Sequence, residues 1–419
     1  MNIIVLGSGL IGLSSAYFLQ KSGHQVTVIE QSNDVAMGAS FANGGQISVG
    51  YSEPWASLSN LKKMKDWLGR KDSPILMHST SFLEDPVWFF NFLKQCSPSN
   101  NIKNIKNMLK LSSFSRDILK TIRDENNIEY NQKLNGIITY YTSEKSFLSS
   151  IQANNIFNQN GCNRQTQNID QLYELEPTLK YSKFQIYGGD YLKEDESGDA
   201  RLFCTELFEI CKNIGVKFFF NHSVIGNPNT VKSNFLEYVD VINTTIDDKT
   251  PIRFFADMFV CCLGSYSQKF LNNTHIKHDT LLYPVKGYSA TIPILNSEKV
   301  NQISLTDSDR KIVLTRLGDE LRIAGTAEFN GFNDEINPIR CEALSSRANE
   351  LFPRALDIAN TKYWVGFRPT TPHGSPYIQQ STLSNLYFNF GHGTLGFTMA
   401  AGSGKLISQL INKEPLFTI

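Results

Sequence analysis

The sequence predicts an α/β protein of two interleaved parts, one built on a parallel sheet and the other an α+β unit with a largely antiparallel sheet. Three observations carry this. The N-terminus reads as strand, glycine turn, helix and strand. Apolar runs that read as further buried strands recur far along the chain. Between them lie long helical stretches and strands of a different pattern.

Taken in order, Ile3 to Leu6 is a short apolar run followed by glycines. Leu10, Ile11, Leu13, Ala16, Tyr17 and Leu19 then recur at helical spacing up to Gly23, and Gln25 to Ile29 is a second apolar run. Such a unit sets its two strands in parallel with a right-handed crossover. From about Tyr51 to Ile128 the pattern changes to longer helical stretches, and a different domain begins there. Asn135 to Tyr141, Val285 to Ile294, Lys311 to Thr315 and Leu321 to Ala324 read as strands of that second domain. Val216 to Phe220, Met258 to Leu263 and Asn385 to Phe390 read as buried strands of the first. The first domain is therefore expected to draw on residues 1–58, 160–272 and 345–419, and the second on 59–159 and 273–344.

The length of 419 residues suits two or three compact units of roughly 100–200 residues each. Forty Lys plus Arg balance forty Asp plus Glu, so no global field gathers phosphate backbones, and no nucleic-acid partner is expected. No metal-ligand pattern stands out either. The seven cysteines form no CxxC pair, and Cys261 and Cys262 lie inside an apolar run, where they read as buried, inert thiols. Nothing implies an oxidising compartment, a secretory signal or a membrane span. A cytoplasmic location is expected.

Gly7-Ser8-Gly9-Leu10-Ile11-Gly12 is G-x-G-x-x-G set between a strand and a helix, with Glu30 eighteen residues after Gly12 at the end of the next strand. Gly7 makes the tight turn, Gly9 lets backbone N–H groups reach a pyrophosphate, and Gly12 lets helix and strand approach closely. The helix N-terminus offers unpaired donors to phosphates, and Glu30 suits the ribose hydroxyls. This is a Rossmann-type fingerprint. Candidate cofactor contacts are Ile4, Val5, Leu6, Gly7, Ser8, Gly9, Leu10, Ile11, Gly12, Glu30 and Gln31, with Val224 and Gly264 further on. The same fingerprint serves FAD and NAD. A second glycine turn, Gly391-His392-Gly393-Thr394-Leu395-Gly396, follows an apolar strand and precedes a helix. Its N–H donors suit the flavin N1–C2=O edge, where negative charge develops on reduction, which favours FAD.

With these residues in view the chain resembles the D-amino acid dehydrogenase small subunits. They stand within the wider FAD-dependent amine oxidoreductases that include glycine oxidase, sarcosine oxidase and D-amino acid oxidase. The likeness rests on the fingerprint, on Ser40-Phe41-Ala42-Asn43-Gly44-Gly45-Gln46-Ile47-Ser48, on Tyr283-Pro284-Val285-Lys286-Gly287-Tyr288, on Gly366-Phe367-Arg368-Pro369-Thr370-Thr371-Pro372 and on the second glycine turn. Gly44 stands where the family usually has Ala.

The resemblance implies that Ser40, Asn43, Gly44, Gly45 and Gln46 form a loop over the cofactor, with Gly391, Gly393, Thr394, Leu395 and Gly396 beside the ring. It implies that Arg368 holds a substrate carboxylate, a role its planar fork of donors suits. Glycine oxidases are similar but carry Arg at the position of Thr394 and Tyr near that of Lys311, so Tyr51, Tyr288 or Arg316 are candidates for the second contact. Lys286 either approaches the flavin or keeps its head in solvent. His392 either bonds cofactor or substrate or caps backbone.

The implied reaction is oxidative deamination of small D-amino acids such as D-alanine, by hydride transfer from Cα to flavin N5, giving a 2-oxo acid and ammonia. A quinone or other respiratory acceptor would then take the electrons, which favours peripheral contact with the inner face of the cytoplasmic membrane. Lys62, Lys63, Lys65, Trp67, Arg70 and Lys71, and the run Pro86 to Leu93, are the segments that could dock there. The alternatives are an oxygen-using oxidase of glycine, sarcosine or a cyclic imino acid, and a non-catalytic flavin-binding subunit.

Overall fold

The computed structural model describes residues 1–67, 73–78 and 80–417, with the backbone alone at 63–67. The N-terminal reading holds. The strands Asn2–Leu6 and Gln25–Ile29 pair in parallel through the helix Leu10–Lys21. They lie inside a six-stranded sheet ordered Tyr377–Gln380, Leu386–Phe390, Met258–Cys261, Asn2–Leu6, Gln25–Ile29 and Lys217–Phe219. All pairs are parallel except the one made by Tyr377–Gln380. Ile3, Val5, Val26, Val28 and Val260 turn into one core against the helices Leu10–Lys21, Ala200–Asn213 and Gly396–Asn412, while Ile4, Leu6 and Phe259 fill another on the opposite face. Strands buried on both faces read as continuous apolar runs, which is why these were legible.

The exception is Lys217–Phe219, expected to be buried. It is an edge strand with Lys217 and Phe219 exposed, since among the described residues it pairs with a strand on one side alone.

The second sheet is mostly antiparallel, as expected. Among the described residues its path runs Lys362–Thr370, Tyr283–Pro293, Glu320–Phe329, Ile312–Leu317, Ser304–Asp307, Ile137–Tyr141, Gly188–Leu192 and Gln165–Gln167, and Ile75–Met77 pairs with Glu320–Phe329. Gln165–Gln167, Gly188–Leu192 and Lys362–Thr370 fall in segments that the sequence assigns to the first domain. Their register settles their sheet: Lys362–Thr370 is zipped along Tyr283–Pro293 from Tyr283 opposite Thr370 to Thr291 opposite Lys362. The helix Pro338–Leu351 likewise lies on this sheet through Leu344, Ala348 and Leu351. The helices Leu58–Trp67, Ser81–Glu84, Pro86–Gln95 and Pro98–Asn126 fill the stretch expected to be helical.

Candidate active site

Between the two sheets lies a cavity of about 750 Å³, within the usual range for cofactor and substrate sites. It opens at the carboxyl ends of the parallel strands, where doubly wound folds bind dinucleotides. Gly7, Gly9, Leu10, Ile11, Glu30, Gln31, Ser40, Asn43, Gly44, Gly45, Gln46, Val224, Gly264, Gly391, Gly393, Thr394, Leu395 and Gly396 line it, together with Tyr51, Tyr288, Arg368 and His392. Ile4, Val5, Leu6, Ser8 and Gly12 do not. The first three are core strand, and Gly12 underlies the turn, where an added Cβ would sit 1.9 Å from the Gly7 carbonyl oxygen.

These residues fit a dinucleotide. Neither N-cap residue, Gly9 or Leu395, caps its helix with its own side chain, and the positive end of each helix lies at the cavity. The Ser40 hydroxyl, 3.3 Å from the Leu10 nitrogen, accepts at the first of them. Glu30 is held rather than free. Its Oε2 accepts from the Ser8 nitrogen and hydroxyl at 2.8 Å each, and its Oε1 accepts from the Ser32 nitrogen at 2.9 Å. That fixes the carboxylate while leaving lone pairs for ribose hydroxyls. His392 is 2% exposed, and among the described residues neither ring nitrogen has a hydrogen-bond partner. Burial pushes its pKa down to about 3, so a neutral ring waits for a ligand that completes its hydrogen bonds.

The loop from Ser40 to Ser48 is tied to the second sheet. Gln46 Nε2 donates to Ser304 Oγ at 2.9 Å and Thr306 Oγ1 at 3.1 Å, and the Gly44 carbonyl accepts from Thr315 Oγ1 at 2.7 Å. Glycine at 44 answers a need for space, not flexibility: an added Cβ would lie 2.4 Å from Val313 Cγ2.

Arg368 is seated by backbone. In the antiparallel register Lys286 faces Glu328 and Tyr288 faces Gly325, so Gly287 opposes both Thr326 and Ala327. This β-bulge sets Thr326 at φ +51°. Arg368 Nη1 donates to the Thr326 carbonyl at 2.6 Å and Nη2 to the Gly325 carbonyl at 3.2 Å. The guanidinium lies over Gly287, whose missing side chain leaves the room. Among the described residues no carboxylate pairs with it. Burial, with the like charge of Arg340 adding and Tyr51 opposing, lowers its pKa to about 10, so it remains cationic at neutral pH. A buried, charged fork without a counter-ion is matched by an incoming carboxylate.

Other candidates lie elsewhere or are already engaged. Tyr288 lines the wall, but its hydroxyl donates to Glu328 Oε2 at 2.5 Å. Arg316 does not line the cavity and donates to the carbonyls of Gly318 and Ser297 at 3.1 and 2.9 Å. Lys286 takes neither expected course. It is 1% exposed, off the cavity, and pairs with Glu328 at 3.4 Å inside a cluster with Tyr288, Arg340 and His78.

Tyr51 does face the cavity. Its turn is held by buried Asp195, which accepts from Ser48 Oγ at 2.9 Å and from the Val49 and Gly50 nitrogens at 3.1 Å. Beside it Lys311, at φ +55°, has its Nζ 5.9 Å from the Tyr51 ring centre. Burial pulls the ammonium down, yet Tyr51, Glu53 and Asp309 outweigh this and hold it above its usual value. The Thr326 bulge was missed by sequence reasoning, because a threonine inside an alternating strand carries no mark of a left-handed backbone.

Cys261 and Cys262 are buried, free thiols with pKa pushed up by burial, to about 11 for Cys261, which makes them inert. Of the basic stretch, Lys62 is exposed, while the side chains of Lys63, Lys65 and Trp67, and all of Arg70 and Lys71, lie outside the described residues. Among the described residues no helix is long and apolar enough to cross a membrane.

Known proteins bear on this arrangement. A D-amino acid dehydrogenase of Dechloromonas aromatica (strain RCB) is 40% identical over 420 residues, covering 100% of this chain and 99% of its own. One of Vibrio vulnificus (strain YJ016) is 38% identical over 99% of this chain and 96% of its own. The crystal structure of glycine oxidase from Bacillus cereus ATCC 14579 shares the fold, with a TM-score of 0.72 at 19% identity, covering 98% of this chain and 95% of that one. The family model described as DAO, FAD dependent oxidoreductase, matches residues 2–410. The chain belongs to this family of FAD dependent oxidoreductases.

Proposed function

We propose that this chain oxidises small D-amino acids such as D-alanine to 2-oxo acids and ammonia and hands the electrons to a quinone of the respiratory chain at the inner face of the cytoplasmic membrane. The observation that carries the substrate reading is Arg368, a cationic fork seated by two carbonyls in the cavity that the dinucleotide fingerprint also lines. The dehydrogenase names of the full-length relatives agree with it.

Bound in this cavity, FAD supplies the acceptor for the hydride that leaves Cα. Arg368 takes the substrate carboxylate in a bidentate grip and so fixes Cα. Tyr51 and Lys311 stand ready to meet the amino acid from another side. His392, neutral at working pH, offers hydrogen bonds without adding charge. No protein base is required if the amine gives up its proton to water first. With the carboxylate held by Arg368, the side-chain pocket reads configuration. Apolar discrimination of about 1–3 kcal/mol per methylene favours breadth over small side chains.

The test is anaerobic mixing of the yellow holoprotein with D- and L-alanine, followed by a quinone analogue. The reading expects bleaching by D-alanine alone, reversed faster by quinone than by oxygen. Bleaching by L-alanine alone overturns the stereochemical assignment, and hydrogen peroxide formed at full rate in air points to an oxidase.

A further inference from the structure

A second cavity, of about 190 Å³, adjoins the first. Trp55, Asn60 and Ile75 line both. The surface it exposes is wholly apolar, formed by such side chains as Met77, Trp88 and Phe92. An apolar cavity of about 150 Å³ stays dry and takes up benzene, so this one is large enough to accept hydrocarbon. The charged ends of the amino-acid substrate stay outside it, since they would go unmatched there.

The annex is built, not accidental. Asp85 caps the helix Pro86–Gln95 by accepting from the Trp88 nitrogen at 2.9 Å. The Trp88 ring is fully buried, stacks on Phe92 at 5.3 Å, and donates through Nε1 to the Thr370 carbonyl at 2.9 Å. Thr370 lies on the strand of Arg368, so the annex wall is fastened to the strand that carries the carboxylate fork. At the outer side Phe82 and Leu93 line the annex while 48% and 52% exposed, and Leu83, Val87 and Phe90 on the same two helices are 78%, 57% and 57% exposed. An apolar path thus runs from an apolar surface patch to the cofactor cavity.

We propose that this annex receives the isoprenoid tail of a quinone whose ring enters the shared end of the main cavity. This rests on the dehydrogenase reading above. The quinone takes up two electrons and, with one proton from the reduced flavin and one from water, leaves as quinol, while the flavin returns to its oxidised form. A soluble acceptor has no use for a dry hydrocarbon annex, and oxygen needs no tail site.

The test compares the tail-less and two-isoprene homologues of ubiquinone with native protein and with Leu93→Glu, which sets a charge at the half-exposed mouth. Phe82→Glu serves as a second variant should the first fail to retain flavin. With protein reduced anaerobically by D-alanine, the tailed quinone is expected to reoxidise the native form at least tenfold faster than the tail-less one. The variant should bring that ratio below about two. Without any amino acid, the tailed quinone should quench the tryptophan fluorescence from Trp55 and Trp88 saturably, with affinity at least tenfold weaker in the variant. The same ratio in both proteins, or quenching that never saturates, overturns the annex. Failure of D-alanine to bleach the flavin overturns the parent reading instead, and the quenching still decides the annex.

Discussion

Gly287→Ala moves the carboxylate fork without touching it chemically. The new Cβ would sit 2.3 Å from Arg368 Cζ and 2.4 and 2.5 Å from its two terminal nitrogens, where ordinary contact is 3.4–4 Å. The guanidinium, at the end of a flexible side chain, must recede by about 1 Å. Its bonds to the Thr326 and Gly325 carbonyls, now 2.6 and 3.2 Å, cannot both survive that shift. The displaced fork then gives up one of its two bonds to the substrate carboxylate, and a hydrogen bond to a charged group contributes about 1.5–3 kcal/mol, which converts to about 10- to 150-fold. The fork is then out of register with the substrate, so the apparent KM for D-alanine should rise by that factor while FAD remains bound. The assay is anaerobic bleaching of the flavin against D-alanine concentration. An unchanged KM in a protein that keeps its colour would refute the idea that Arg368 acts from this seat.

Three further outcomes follow from other parts of the molecule. Glu328→Ala strips the carboxylate from buried Lys286 and Arg340 and should destabilise the protein by about 3–5 kcal/mol, read as a lower urea midpoint; a change below 1 kcal/mol would mean that the cluster is solvated. Gly12→Ala drives a Cβ into the Gly7 carbonyl and should yield protein that no longer retains FAD, measured by the absorbance of the purified sample. His392 has a folded pKa of about 3 against 6.5 for an ordinary ring, so its contribution to stability is complete above about pH 6.5 and is lost as pH falls toward 3. At pH 5 that amounts to about 2 kcal/mol, and urea unfolding of the flavin-free protein should show the loss shrinking in His392→Asn; equal acid sensitivity in both would contradict the buried neutral ring.

The parallel sheet was legible because Ile3 to Leu6 and Met258 to Leu263 are apolar without interruption and Leu386 to Phe390 is broken only by Asn389, as suits strands buried on both faces. The glycine spacing at Gly7, Gly9 and Gly12 was legible because it answers backbone sterics that sequence states directly. Lys217–Phe219 misled because an edge strand carries the same apolar letters as a central one. The strand of Arg368 lies in a segment expected to belong to the first domain yet joins the second sheet, because which sheet a strand joins depends on partners far along the chain, here Tyr283–Pro293.

Lys286 shows the limit for single side chains. A lysine beside a single glycine in a strand gives no hint that Glu328, distant in sequence, lies across the register from it. Of the cavity lining, the glycine turns and Arg368 were readable as lining residues. Residues whose role rests on tertiary neighbours, such as Thr326, Lys311 and Asp195, were not.

The most direct measurement is a crystal structure of the yellow holoprotein soaked with pyruvate, the 2-oxo acid expected from D-alanine. The account predicts a pyruvate carboxylate bridged by the Arg368 guanidinium at hydrogen-bond distance, with its C2 stacked against the flavin ring. A carboxylate bound elsewhere, with Arg368 turned away from the flavin, would contradict it.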